Sequence, residues 1–182
     1  MEHIMKRTIS ALVQNQPGVL ARVAGMFAAR NFNIDSLAVG RTEDPNLSRI
    51  TMVVIGDDAT LEQVRKQLGK IIPIVKVYDF TGENLVQRDL MLIKIAVASE
   101  KRPEIQAIID MFRAKVVDIG PKFVMVEVTG PEQKIEAFVD LCRPYGVKDM
   151  VRTGMIAMPR HSKARPDKGV EPNRQEPEPD RE

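Results

Sequence analysis

The sequence predicts an α+β chain built from two consecutive βαββαβ units, and three observations carry that prediction. Apolar residues alternate over runs of strand length, and between those runs they recur with helical spacing. Proline, glycine, asparagine and aspartate fall at the boundaries. The order of elements then repeats after the polar loop Thr81-Gly82-Glu83-Asn84.

In the first unit, residues 6–82, Ile9, Ala11 and Val13 alternate with Thr8, Ser10 and Leu12 in a strand from Arg7 to Gln14. Pro17 stands where it can open a helix, since its missing N–H costs nothing there, and Val19, Leu20, Val23, Met26 and Phe27 form one apolar face. Asn33 to Arg41 and Ser48 to Ile55 are strands around the turn Glu43-Asp44-Pro45-Asn46. Asp57 or Asp58 caps a second helix through Leu61, Val64, Leu68, Ile71 and Ile72, and Ile74 to Phe80 closes the unit. In the second unit, residues 89–158, Leu90 to Val97 is the first strand, followed by a helix behind Pro103 carrying Ile105, Ile108, Ile109 and Phe112. Val116 to Ile119 and Phe123 to Val128 flank Gly120-Pro121, Pro131 opens the last helix, and Val147 to Met158 is the closing strand. Each half has the order of the split βαβ, ferredoxin-like arrangement, two helices on one face of a four-stranded antiparallel sheet. The uncovered face is expected to expose apolar side chains, and an open edge strand invites a side-by-side homodimer.

Residues 159–182 differ in kind. Five of the chain's twelve prolines lie there, with twelve charged residues, six of each sign. Such a segment cannot bury enough surface to offset its ordering entropy, so a disordered polar tail is expected.

Composition excludes several activities. Over 182 residues, 27 Lys+Arg against 25 Asp+Glu leave a formal charge of +2, which makes no electrostatic trap for nucleic acid or anionic lipid. One cysteine allows neither an intrachain disulfide nor a clustered-thiol metal site, which fits a reducing cytoplasm. The two histidines, His3 and His161, lie outside both units, which disfavours a catalytic triad or a metalloenzyme; no catalytic residue and no metal ligand is expected. Cys142 sits on the stripe Ile135, Phe138, Val139, Cys142 and reads as a small core residue. No signal-like or membrane-length apolar run occurs, and Asn46-Leu47-Ser48 reads as a turn that happens to match a glycosylation sequon. RNA-recognition sheets of the same order stack bases on aromatics, yet Ser48 to Ile55 has none; neither glycine-rich nucleotide motif is present.

The chemically pointed segment is Asn15-Gln16-Pro17-Gly18-Val19-Leu20. It joins a strand end, a glycine and a helix N-terminus, where backbone N–H groups lack intrahelical partners and attract an anion. Asn33 could accept from an ammonium, and Ile34 offers apolar contact. Taken as a bare motif, the same residues are better explained by simple helix capping. By contrast, the second unit's loop Ser99-Glu100-Lys101-Arg102-Pro103-Glu104 has acids and no glycine, and no ligand pocket is expected there.

The run ISALVQNQPGVLARVAGMFAARNFNIDSLAVG, followed by TEDPNLSRITMVV, resembles the ACT domain, a small-molecule sensing module. From about Lys6 to Met158 the wording resembles the regulatory (small) subunits of acetolactate synthase, also called acetohydroxyacid synthase. Leu90-Met91-Leu92-Ile93-Lys94-Ile95, Met111-Phe112-Arg113 and Val117-Asp118-Ile119-Gly120-Pro121 extend the likeness into the second unit. The resemblance implies a non-catalytic chain in branched-chain amino-acid biosynthesis. Such a chain activates a catalytic (large) subunit that holds thiamine diphosphate, Mg and FAD, and it confers feedback inhibition by valine. It implies that valine binds between the ACT domains of a homodimer, at Asn15, Gly18, Val19 and Leu20 of one chain and Asn33 and Ile34 of the other. The competing expectation is a free-standing ACT sensor that controls another enzyme or a transcription factor.

Overall fold

The computed structural model describes residues 5–160. The chain divides into two compact units; the first runs through Asn84 and takes in Pro159, and the second spans Leu85 to Met158.

In the first unit, β1 (Met5–Gln14), α1 (Val19–Ala28), β2 (Asn33–Arg41), β3 (Leu47–Gly56), α2 (Asp58–Leu68) and β4 (Ile74–Asp79) form an antiparallel sheet in the order β2-β3-β1-β4. The alternation read from sequence sets the faces. Ile9, Ala11, Val13, Ile50, Met52, Val54, Ile74 and Val77 point one way and pack with Val19, Val23 and Phe27 of α1 and Leu61, Val64 and Leu68 of α2. Asp57 is the cap of α2, its carboxylate accepting from Thr60 N–H at 2.7 Å. The opposite face departs from the expected apolar surface. Ser10 lies opposite Thr51 on β3 and Tyr78 on β4, and Ser10 and Thr51 are both buried. Arg49 donates to Ser10 Oγ at 3.3 Å and lies over the Tyr78 ring at 5.2 Å, so a cation and polar side chains share this face with apolar Val53.

The helix α1 begins two residues later than Pro17 suggests. Gly18 has φ 83° and ψ −7°, values that belong to the third residue of a type II turn, whose second residue is commonly proline. Pro17-Gly18 is therefore the corner that ends the strand's direction, and Val19 is the first helical residue.

In the second unit, β5 (Leu85–Ala96), α3 (Arg102–Met111, preceded by a 3-10 turn at Ser99–Lys101), β6 (Lys115–Gly120), β7 (Phe123–Gly130), α4 (Glu132–Cys142) and β8 (Val147–Arg152) give the equivalent order β6-β7-β5-β8. Two boundaries move. The first strand starts five residues early, at Leu85, and the closing strand breaks at Thr153 and Gly154 (φ 85°) into β8 and a short β9 (Ile156–Pro159) that pairs with β5. Arg160 N–H then donates to Asn84 O at 2.8 Å. The first two residues of the polar segment, Pro159 and Arg160, thus belong to the paired chain, and 161–182 lie outside the described residues. Cys142 is fully buried among Ile135, Phe138 and Val139, as its stripe predicts, and burial pushes its thiol up to about 11. Asp89, 3% exposed, accepts from Arg152 Nε at 2.7 Å and from Thr153 Oγ1 at 3.2 Å, and Arg152 reaches on to Glu136 at 2.6 Å.

Candidate functional site

The loop after β1 is held by main-chain bonds on two sides. Gln14 N–H donates to Pro73 O at 2.8 Å and Asn15 N–H to Asn46 O at 2.7 Å, while the Asn15 amide donates to Pro45 O at 3.0 Å. Asn15 therefore ties the loop to the β2–β3 turn through its Nδ2. Gly18 precedes α1 with no side-chain cap, and the first turn of α1 contains no acidic residue. The first helical bond runs from Arg22 N–H to Gly18 O at 3.1 Å, so the N–H groups of Val19, Leu20 and Ala21 precede the helix's own hydrogen-bond pattern. Open space surrounds the position where a Gly18 Cβ would stand. These features make an exposed donor cluster at the positive end of the helix dipole, suited to a carboxylate.

The side chains divide. Val19 is in the core and can offer a ligand only its N–H. Leu20, read from sequence as part of the apolar face, is instead 44% exposed. Asn33 is exposed at the start of β2, and Ile34 is half-buried against the core. The register sets the distance between the two groups. Asn33 pairs with Ile55, which pairs with Lys6 on β1, whereas the loop follows Gln14, paired with Leu47. Eight residues of strand separate the two levels, ~26 Å at ~3.3 Å per residue. Within one chain, Asn33 and the loop lie at opposite ends of the sheet. Beside Asn33, Lys6 Nζ lies 2.9 Å from Asp35 Oδ2 and neutralises that carboxylate.

The second unit repeats the anchoring. Ala96 N–H donates to Gly146 O at 2.8 Å and Val97 N–H to Lys122 O at 3.1 Å, matching the bonds of Gln14 and Asn15. Contrary to the expectation of no pocket, a cavity of about 630 Å³ opens at this loop, lined among others by Ser99, Glu100, Lys101, Lys122 and Tyr145. The sequence signal was masked because Lys101 and Lys122 come from different connections and meet only through the β5–β7 pairing.

Among the described residues there is no group of three or more His, Cys, Asp or Glu that could hold a metal ion, and no helix is long and apolar enough to cross a membrane.

Comparison with known proteins covers both units. Residues 9–76 match the model of the AHAS small subunit-like ACT domain, and residues 88–161 match that of the small subunit of acetolactate synthase. A protein of Archaeoglobus fulgidus described as "Probable acetolactate synthase small subunit" is 53% identical over 159 residues, 87% of this chain and 99% of that protein. The acetolactate synthase small subunit of Bacillus subtilis is 47% identical over 157 residues, 86% of this chain and 91% of that one. The crystal structure of the acetolactate synthase small subunit from Thermotoga maritima superposes with a TM-score of 0.81 at 41% identity, covering 88% of this chain and 100% of that one. Two ferredoxin-like units in this order, the first an ACT domain with an open donor cluster, together with these likenesses, place the chain in the family of acetolactate synthase small subunits.

Proposed function

We propose that this chain activates a thiamine-diphosphate-dependent catalytic subunit and makes it sensitive to valine, which binds between the ACT domains of two copies. The register carries the reading. The donor loop and Asn33 are ~26 Å apart in one chain, too far to hold one small amino acid, but β2 is an edge strand. If two copies pair antiparallel along β2, Asn33 of one comes beside the Arg41 end of the other. Arg41 pairs with Ser48 and Ser48 with Val13, the level of the loop. A two-fold pair would thus assemble two equal crevices. In each, N–H groups at Val19 and Leu20 receive the carboxylate, the Asn33 amide oxygen accepts from the ammonium, and exposed Leu20 with Ile34 bounds the side chain.

Mixed dimers test this directly. When every chain carries the change, Gly18→Asp should remove valine inhibition and Asn33→Ala should weaken it sharply. A dimer with one chain of each kind retains one crevice with both Gly18 and Asn33 intact, so inhibition returns in part. If differently tagged chains form mixed dimers and inhibition stays absent, the shared crevice is refuted. If the unaltered chain fails to raise the activity of the catalytic subunit, the activating role is refuted.

A further inference from the structure

We propose that the second unit has a binding site of its own for a small anion, a carboxylate or a phosphate, in the cavity between Lys101 and Lys122. The proposal does not rest on the valine crevice. The cavity's ~630 Å³ falls within the range of small-molecule sites, ~300–1,000 Å³. Its wall is made by the end of β5, the 3-10 turn before α3, the β6–β7 turn at Pro121 and Lys122, and Pro144 with Tyr145.

Charge identifies the ligand class. Lys101 and Lys122 line the cavity, and Arg102 follows directly. Among the described residues none of these three cations meets a carboxylate. Lys101 Nζ lies 5.8 Å from the centre of the Tyr145 ring. Arg102 Nη2 donates only to the carbonyls of Gly120 and Pro121, at 2.7 and 3.1 Å, and its Nε is buried with no acceptor. Glu104, on α3, is not among the lining residues, and it accepts from the Tyr145 hydroxyl at 3.0 Å. That bond holds the Tyr145 phenol above its ordinary range. Glu100 is the acid in the wall, so the lining sets two ammoniums, Lys101 and Lys122, against one carboxylate. An anion entering this concave, partly apolar wall would take charge-assisted hydrogen bonds from both exposed ammoniums.

The experiment is an amide NMR titration of the full-length chain, with inorganic phosphate in one arm, succinate in another and chloride of equal ionic strength as the control. The expected result is a saturable shift at Val97, Ser99, Lys101 and Lys122 with phosphate or succinate and none with chloride. The arm that saturates at lower concentration shows whether the tetrahedral or the planar anion fits. Lys101→Gln with Lys122→Gln should weaken that binding about tenfold or more, and Lys122→Arg should keep it. The absence of saturable shifts at these amides in both arms overturns the site, as do shifts that persist unchanged in the double glutamine variant.

Discussion

Replacing Gly18 by asparagine and by aspartate separates charge from backbone strain at the valine crevice. Both residues must adopt the φ of 83° that Gly18 holds. For a residue with a Cβ this costs ~1–2 kcal/mol, and asparagine and aspartate tolerate it better than other residues. No atom of the chain lies within 4 Å of the new Cβ, so bulk adds no clash within the protein. The two variants should melt at similar temperatures, each lowered by ~4–8 °C per kcal/mol of strain for a unit of this size. They differ in one negative charge, set at about 5 Å from a carboxylate bound to the first N–H groups of α1. Two unit charges at that distance repel by ~1 kcal/mol in water and ~3 kcal/mol at an effective dielectric of 20. Because Gly18 is exposed, the lower part of this range applies, ~1–2 kcal/mol, or about 5–30-fold in affinity. The assay is catalytic-subunit activity across a valine titration, with calorimetric binding to the isolated chain. Equal valine constants for the asparagine and aspartate variants would show that no carboxylate binds at this loop.

Three other outcomes are expected. Asn33→Ala should weaken calorimetric valine binding by ~1.5–3 kcal/mol, the worth of a hydrogen bond to a charged group, and an unchanged constant would remove Asn33 from the crevice. Burial raises the Cys142 thiol from 9.0 to about 11, so above pH 9 the unfolded chain releases a proton that the folded chain keeps. Stability should therefore fall between about pH 9 and 11, by ~2–3 kcal/mol in all, and Cys142→Ala should lose this alkaline dependence when denaturant midpoints are compared across pH. Asp89→Ala strips the 3%-exposed partner from Arg152 and should cost ~2–4 kcal/mol in urea unfolding, whereas a loss under 0.5 kcal/mol would show that the contact is idle.

Much of the fold could be read from the sequence because its signals are local. Alternation placed Ile9, Ala11 and Val13 on the core face, and the Ile135, Phe138, Val139, Cys142 stripe placed the thiol. Where the reading slipped, two local rules competed or a distant strand decided. Pro17-Gly18 satisfies both a helix-start rule and a turn rule, and the left-handed Gly18 decides for the turn. Leu85 to Arg88 have no strand pattern of their own and become extended because β9 comes back to pair with β5. Leu20 fits the apolar stripe by spacing, yet it stands at the rim of α1 and stays half exposed. The residues of the valine loop were legible as a motif, but the ~26 Å between that loop and Asn33 depends on strand register, which spacing along the chain does not reveal.

The two loops that follow β1 and β5 are pinned by the same pair of main-chain hydrogen bonds, although their side chains have almost nothing in common. Main-chain anchors are indifferent to what the side chains are, so loop shape and loop chemistry can change independently. A duplicated unit with this property can keep one copy selective for a given metabolite while the other drifts toward a different one without refolding. The same independence makes the loops exchangeable by design: transplanting Asn15 to Leu20 behind Ala96 is a graft the scaffold already has the bonds to accept.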